Sequence, residues 1–268
     1  MRRRSPAIRR NRRYRGVVTD AAVPTTSADR WLRFEGLSNI RDVGGLPLVG
    51  GGHTRSGVLL RSESLDHVTP NDVRQLVDGL GLRLILDLRT DREIAERGET
   101  ELARAGVETV QFTFIPESGR ELPEVGDDVH PMVANYLGYL RDRGPNVVGA
   151  VRRLAAADGA ALVHCAAGKD RTGTLVAMVL DAVGVEREAV VEDYALSATK
   201  IEAMFRRWTS LSGEEMPGAD EIDRHSPRAV AMEQVLATLD ERDGGAVGWL
   251  QANGLTDDEL TALRNRLV

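Results

Sequence analysis

The chain has one cysteine, Cys165, in 268 residues, so it can build neither an internal disulfide nor a cysteine-cluster metal site. No stretch approaches the roughly 18 uninterrupted apolar residues that a membrane span needs. Lysine is nearly missing: of 35 basic residues only Lys169 and Lys200 are not arginine. Acids are missing from the first sixteen residues, which hold eight arginines (Arg2, Arg3, Arg4, Arg9, Arg10, Arg12, Arg13 and Arg15). This arm therefore carries +8 and the rest of the chain −14, against a net charge of −6. Asp20, Pro24 and Asp29 interrupt the segment after the arm, so no Sec or twin-arginine signal is expected. Residues 1–28 read as a disordered basic arm, with binding of nucleic acid or anionic lipid through it as the alternative. A body so negative is repelled by an anionic bilayer, and the expected setting is the cytoplasm, or release without a recognisable signal. Neither nucleic acid nor a metal is an expected partner. The remainder is ordinary globular material, 42% hydrophobic and 28% charged, enough for a sizeable core.

From Trp31 onward short apolar runs alternate with helical patterns. Gly57–Leu60, Leu82–Leu88, Val107–Phe114 and Ala160–His164 read as strands. Thr69-Pro70 supplies an N-cap and a proline at the first helical position, predicting a helix to about Gly79. Further helices are expected at 91–98, 131–142 and 145–157. Strands separated by helices imply an α/β fold, a mostly parallel central sheet flanked by helices. After His164 the pattern is almost wholly helical. Thr172–Val183 is apolar nearly all round and so reads as a buried helix. Ile201, Met204, Phe205, Trp208 and Leu211 share one helical face, as do Met232, Val235, Leu236 and Leu239. Thr256-x-x-Glu259 is a capping box, with Gly254 closing the helix before it. Residues 29–268 therefore read as one α/β domain with a helical C-terminal elaboration.

The stretch that carries chemistry is His164-Cys165-Ala166-Ala167-Gly168-Lys169-Asp170-Arg171-Thr172-Gly173, placed where a buried strand ends and a buried helix begins. A tight loop there aims successive backbone N–H groups into one concavity and adds the positive end of a helix dipole. That concavity suits a phosphate dianion, bound by residues 166–171. Cys165 lies at its base, where the same field favours thiolate over thiol. Arg171 can come round the loop and hold two phosphoryl oxygens as a planar fork. Gly168 permits the turn, the Thr172 hydroxyl can bond the sulfur, and His164 orients the cysteine. Lys169, in a chain that uses arginine almost everywhere, fits a mobile ammonium reaching a second anionic group.

These residues resemble the Cys-x5-Arg loop of cysteine-dependent phosphatases. The Gly-Lys-Asp-Arg-Thr-Gly version is similar to a family of bacterial atypical tyrosine/serine protein phosphatases. Asn39-Ile40-Arg41-Asp42-Val43-Gly44-Gly45, Leu60-Arg61-Ser62, Asp87-Leu88-Arg89-Thr90, and the ending Trp249-Leu250 through Gly254-Leu255-Thr256 and Glu259-Leu260 match the same family in order. The resemblance covers about residues 30–268. It implies a cofactor-free hydrolysis of phosphomonoesters: the Cys165 thiolate attacks phosphorus, an acid protonates the leaving oxygen, and water hydrolyses the phosphocysteine. Asp87, at a strand end and where the family places its acid, is the expected proton donor. Asp170 competes with it, with Asp91 and Asp42 behind, and the bland reading of Asp87 is a salt bridge to Arg89 or Arg61. Arg41 and Asp42 are expected to fix the Gly44-Gly45 turn. The resemblance also implies a lid, here helices within 200–241, that shields the thiolate. Phosphotyrosine, with possible dual specificity, is the expected substrate and phosphoinositides the alternative. A silent phosphate-binding module is the reading from another class.

Overall fold

The computed structural model describes residues 30–97, 100–117, 119 and 121–268. The basic arm lies outside the described residues. In chain order the elements are β1 (Arg41–Asp42), β2 (Leu59–Ser62), α1 (Pro70–Arg74, continued by a π turn over Gln75–Gly79), β3 (Leu82–Asp87), α2 (Asp91–Arg97), α3 (Glu101–Arg104), β4 (Glu108–Gln111), α4 (Met132–Ala155) and β5 (Ala160–His164). After β5 come α5 (Asp170–Ala182), α6 (Arg187–Ala195), a 3-10 turn (Leu196–Lys200), α7 (Ile201–Ser212), α8 (Ala219–Arg224), α9 (Ala229–Asp243), α10 (Gly245–Ala252) and α11 (Asp257–Leu267).

The five strands form one sheet in the order β1-β2-β5-β3-β4. β2, β5, β3 and β4 pair in parallel, and the two-residue β1 pairs antiparallel with β2. Side chains alternate across the central strands. Leu59, Leu84, Leu86, Ala161 and Val163 enter a large apolar cluster shared with α4, α5 and α9–α11. Leu60, Ile85 and Leu162 enter a smaller one with Leu65, Leu76 and Leu102 on the other face. A sheet covered on both faces needs apolar strands throughout, which is why β5 reads Ala-Ala-Leu-Val. β4 returns through α4 to β5, which inserts between β2 and β3. The chain reverses direction across the sheet there, and in open α/β sheets the crevice at the carboxyl ends beside such a reversal is where ligands sit.

Several boundaries differ from the sequence reading. β2 runs two residues further, taking in Arg61 and Ser62. The two helices expected at 131–142 and 145–157 are both present; they run on as α4, separated by non-helical backbone at Arg143, with Pro145 in the first turn of the second. Proline is tolerated there because a kink already breaks the ladder. The turn-rich 212–227 segment contains α8. Both N-terminal caps are made as expected, at Thr69 and as the Thr256/Glu259 capping box. Among the described residues no helix is long and apolar enough to cross a membrane.

Candidate active site

β5 ends at His164 and α5 begins at Asp170, so residues 165–169 turn at the carboxyl edge of the central strand. The turn requires glycine at 168. Its φ is +69°, and a Cβ there would lie 2.3 Å from the Ser62 carbonyl oxygen. Three successive loop carbonyls are bound from outside. Ser64 N–H donates to Ala166 O (2.8 Å), Asn39 Nδ2 to Ala167 O (2.8 Å), and Arg61 Nη2 to Gly168 O (2.8 Å). A trans peptide sets its N–H opposite its C=O, so the amides of Ala167, Gly168 and Lys169 point the other way, into the hollow of the loop. The arrangement is an anion cradle at a helix N-terminus.

Cys165 lies at its base, 2% exposed. His164 is fully buried, its Nδ1 3.2 Å from the Cys165 carbonyl oxygen. Burial holds its pKa below the ordinary histidine value, with the Arg89 charge acting in the same direction. The Thr172 hydroxyl is buried and has no hydrogen-bond partner among the described residues. Arg171 is 8% exposed. Its Nη1 and Nη2 are taken end-on by Glu93 Oε2 and Oε1 at 2.6 and 2.7 Å, and Nη1 also reaches Leu88 O at 3.4 Å. A guanidinium has five N–H donors in a fixed plane. The end-on pair therefore leaves a second fork, Nε–H with the outer Nη2–H, for two oxygens of a bound anion. Burial works against the Arg171 charge, but the Glu93 hydrogen bonds and the Cys165 sulfur outweigh it and raise its pKa.

The expected acids occupy different settings. Asp87 sits at the end of β3 but is 3% exposed. Arg89 grips both of its oxygens, Nε at 3.0 Å to each and Nη2 at 2.7 Å to Oδ2, and His164 Nε2 is 3.6 Å away. Burial alone would raise its pKa; His164 and the Arg89 guanidinium outweigh burial and keep it below the usual carboxylate range. Arg89 also holds Asp66 at 2.9 Å, while Arg61 goes instead to Asp193. Asp42 accepts from the Gly44 and Gly57 amides at 2.8 and 2.6 Å, fixing the turn as expected. Arg41 does not share that task; it too turns to Asp193. Asp91 is exposed and held by Gln111 at 2.7 Å. Asp170 accepts from the Tyr136 hydroxyl at 2.7 Å and lies 3.1 Å from Lys169 Nζ.

Residues 32–268 match the family described as the tyrosine phosphatase family. The chain belongs to the tyrosine phosphatase family. Its relatives include a tyrosine-protein phosphatase from Nostoc commune, 30% identical over 216 residues, covering 78% of this chain and 73% of that one. Another is the triple specificity protein phosphatase PtpB of Mycobacterium tuberculosis, 27% identical over 273 residues, covering 87% and 97%. The crystal structure of P. aeruginosa TpbA in complex with pTyr is similar with 25% identity and a TM-score of 0.32, over 52% of this chain and 68% of that one; so low a score adds nothing to the assignment.

Two hollows flank the loop of this tyrosine phosphatase. One, of about 170 Å³, is lined by Ala166, Asp66, His67, Arg89, Glu93 and Trp208. The other, of about 260 Å³, is lined by Lys169, Asp170, Tyr136, His130, Arg224 and Arg228. The sequence reading missed Glu93, Asp193 and Asp66. Only Glu93 left a local trace, since Thr90-x-x-Glu93 has the spacing of a capping box, and Glu93 does accept from Thr90 N–H at 2.8 Å.

Proposed function

We propose that Cys165 is the nucleophile of a two-step phosphomonoester hydrolysis through a phosphocysteine, with phosphotyrosine proteins or peptides as the first substrate class. The observation that carries this reading is the cradle itself: three carbonyls drawn outward, a cysteine beneath, and an arginine with one fork clamped and one free. The cradle amides and the free fork of Arg171 stabilise the charge on the transferring phosphoryl group. Thr172, buried and without a partner among the described residues, bonds the departing sulfur in the second step. The names of the relatives, tyrosine-protein and triple specificity phosphatases, support an aryl phosphate with broader tolerance.

For the acid the geometry favours Asp170 over Asp87. An acid must reach the leaving oxygen, and Asp87 is buried, gripped at both oxygens and held ionised. Asp170 lines a hollow beside the cradle. Asp87 then serves by holding Arg89. Helix α7 supports the lid reading for part of 200–241, because Trp208 walls the smaller hollow and packs edge-on against Phe205 at 5.7 Å. A second reading, a phosphoinositide substrate, is favoured by Lys169, which faces the larger hollow with Arg224 and Arg228 and offers charge to a second anionic group.

The test is phosphate release in the presence of chelator, with phosphotyrosine peptide, phosphoserine peptide and soluble phosphatidylinositol 3-phosphate ranked against one another. Loss of turnover in Cys165→Ser is expected, and retained turnover would overturn the nucleophile. Aryl phosphates of rising leaving-group pKa separate the acids. Asp170→Asn should lose activity on phenyl phosphate by about 10²–10⁴-fold, and far less on p-nitrophenyl phosphate. Asp87→Asn should lose similarly on both. The reverse pattern would return the acid role to Asp87.

A further inference from the structure

We propose that Asp193, on α6, is the positioning residue that holds the phosphate cradle open, acting through Arg61 and through Arg41 with Asn39. This rests on the reading of residues 165–171 as the phosphate site. Asp193 is fully buried and receives three guanidiniums: Arg30 Nη1 at 2.6 Å, Arg41 Nε at 3.1 Å and Arg61 Nη1 at 2.7 Å. The other arm of Arg61 is the donor to Gly168 O. Arg41 Nη1, in turn, donates to Asn39 Oδ1 at 3.1 Å, and the amide of Asn39 is the donor to Ala167 O. Two of the three outward-drawn carbonyls are thus tied back to a single carboxylate.

The charge is unbalanced in a way that structure alone does not explain. One carboxylate takes ion pairs from three arginines that are between 0 and 4% exposed, and even with Asp42 feeling the Arg30 charge an excess of positive charge stays buried behind the cradle. Burial pushes the Arg41 pKa down to about 9, with repulsion from Arg61 adding to it. A buried cluster serving only stability gains by matching its charges. An excess is useful where an anion arrives on the other side of the loop, as a phosphate dianion and a thiolate do. The placement is fixed by the next residue. The Tyr194 ring lies against Gly173, where a Cβ would come within 2.8 Å of it, so α6 seats on the first turn of α5 with Asp193 beneath the loop.

The experiment compares Arg61→Met, Asp193→Asn and the double variant. It measures kcat, KM and inhibition by orthovanadate, an oxyanion that reports on the cradle without turnover. Displacement of catalytic groups by about 1 Å costs about 10²-fold, so kcat/KM and vanadate affinity should both fall by about that factor in Arg61→Met. Asp193→Asn should fall alike, and the double variant should lose much less than the product of the two. Should Asp193→Asn fail to fold, Asp193→Glu, which keeps the charge but shifts the carboxylate, takes its place, and vanadate affinity should again fall. A folded Arg61→Met or Asp193→Asn that binds vanadate as wild type does would overturn the proposal. Wild type that binds no vanadate, or Cys165→Ser that still turns over, would instead overturn the site reading.

Discussion

Glu93→Gln should weaken catalysis through Arg171. Its carboxylate holds Arg171 end-on through two short charge-assisted bonds of 2.6 and 2.7 Å, and Thr90 holds the carboxylate in place. Glutamine keeps one accepting oxygen and turns an NH₂ toward a guanidinium that also only donates. One bond is lost and one N–H pair is opposed. Hydrogen bonds to charged groups contribute about 1.5–3 kcal/mol. With the Glu93 side chain 31% exposed, water replaces part of that, leaving about 1–2 kcal/mol. If Arg171 must be held to present its second fork, that energy is drawn from the transition state, and kcat/KM falls by roughly 5–30-fold. The assay is steady-state turnover of a phosphotyrosine peptide by wild type, Glu93→Gln and Glu93→Ala, with vanadate inhibition alongside. The opposite view makes Glu93 a competitor that occupies Arg171 until phosphate displaces it. Tighter vanadate binding and unchanged or faster turnover in Glu93→Gln would refute the clamp.

The same contacts set two further outcomes. His164 is buried with its pKa lowered, so the unfolded chain takes up a proton before the folded one does, and stability present above about pH 6.5 falls as pH drops toward 5. The slope from this residue is at most about 1.4 kcal/mol per pH unit, and His164→Asn, measured by urea unfolding at pH 7, 6 and 5, should flatten it; an unchanged slope would assign the acid sensitivity elsewhere. Trp208→Ala opens the smaller hollow, and under dilute peroxide it should inactivate faster than wild type, by oxidation of Cys165; equal inactivation rates would remove the lid role from α7.

One physical rule accounts for the features that the sequence concealed. The phosphate loop is legible because its requirements are local: glycine at a positive φ, a cysteine at a strand end and an arginine within reach round one turn. β5, α5 and the apolar faces are legible by periodicity. The misreadings arise where a charge is buried, because hydropathy reads a charged residue as solvent-facing and its partner lies far along the chain. A pattern reading ends β2 at Leu60 because Arg61 reads as exposed, yet Arg61 is 1% exposed and pairs with a carboxylate 132 residues away. Glu93 reads as a solvated helix face, and its arginine is 78 residues on. Among the described residues the buried arginines are Arg30, Arg41, Arg61, Arg89 and Arg171. Three converge on Asp193 behind the loop, one grips Asp87 beside it, and one is the loop's own fork. Burying a guanidinium is costly unless its bonds are met, so a fold that uses arginine this freely has reason to keep it at the surface. That its buried arginines gather round one cradle marks the cradle as the place where local rules were set aside for function, and it is why the same residues that defeat a sequence reading point to the site.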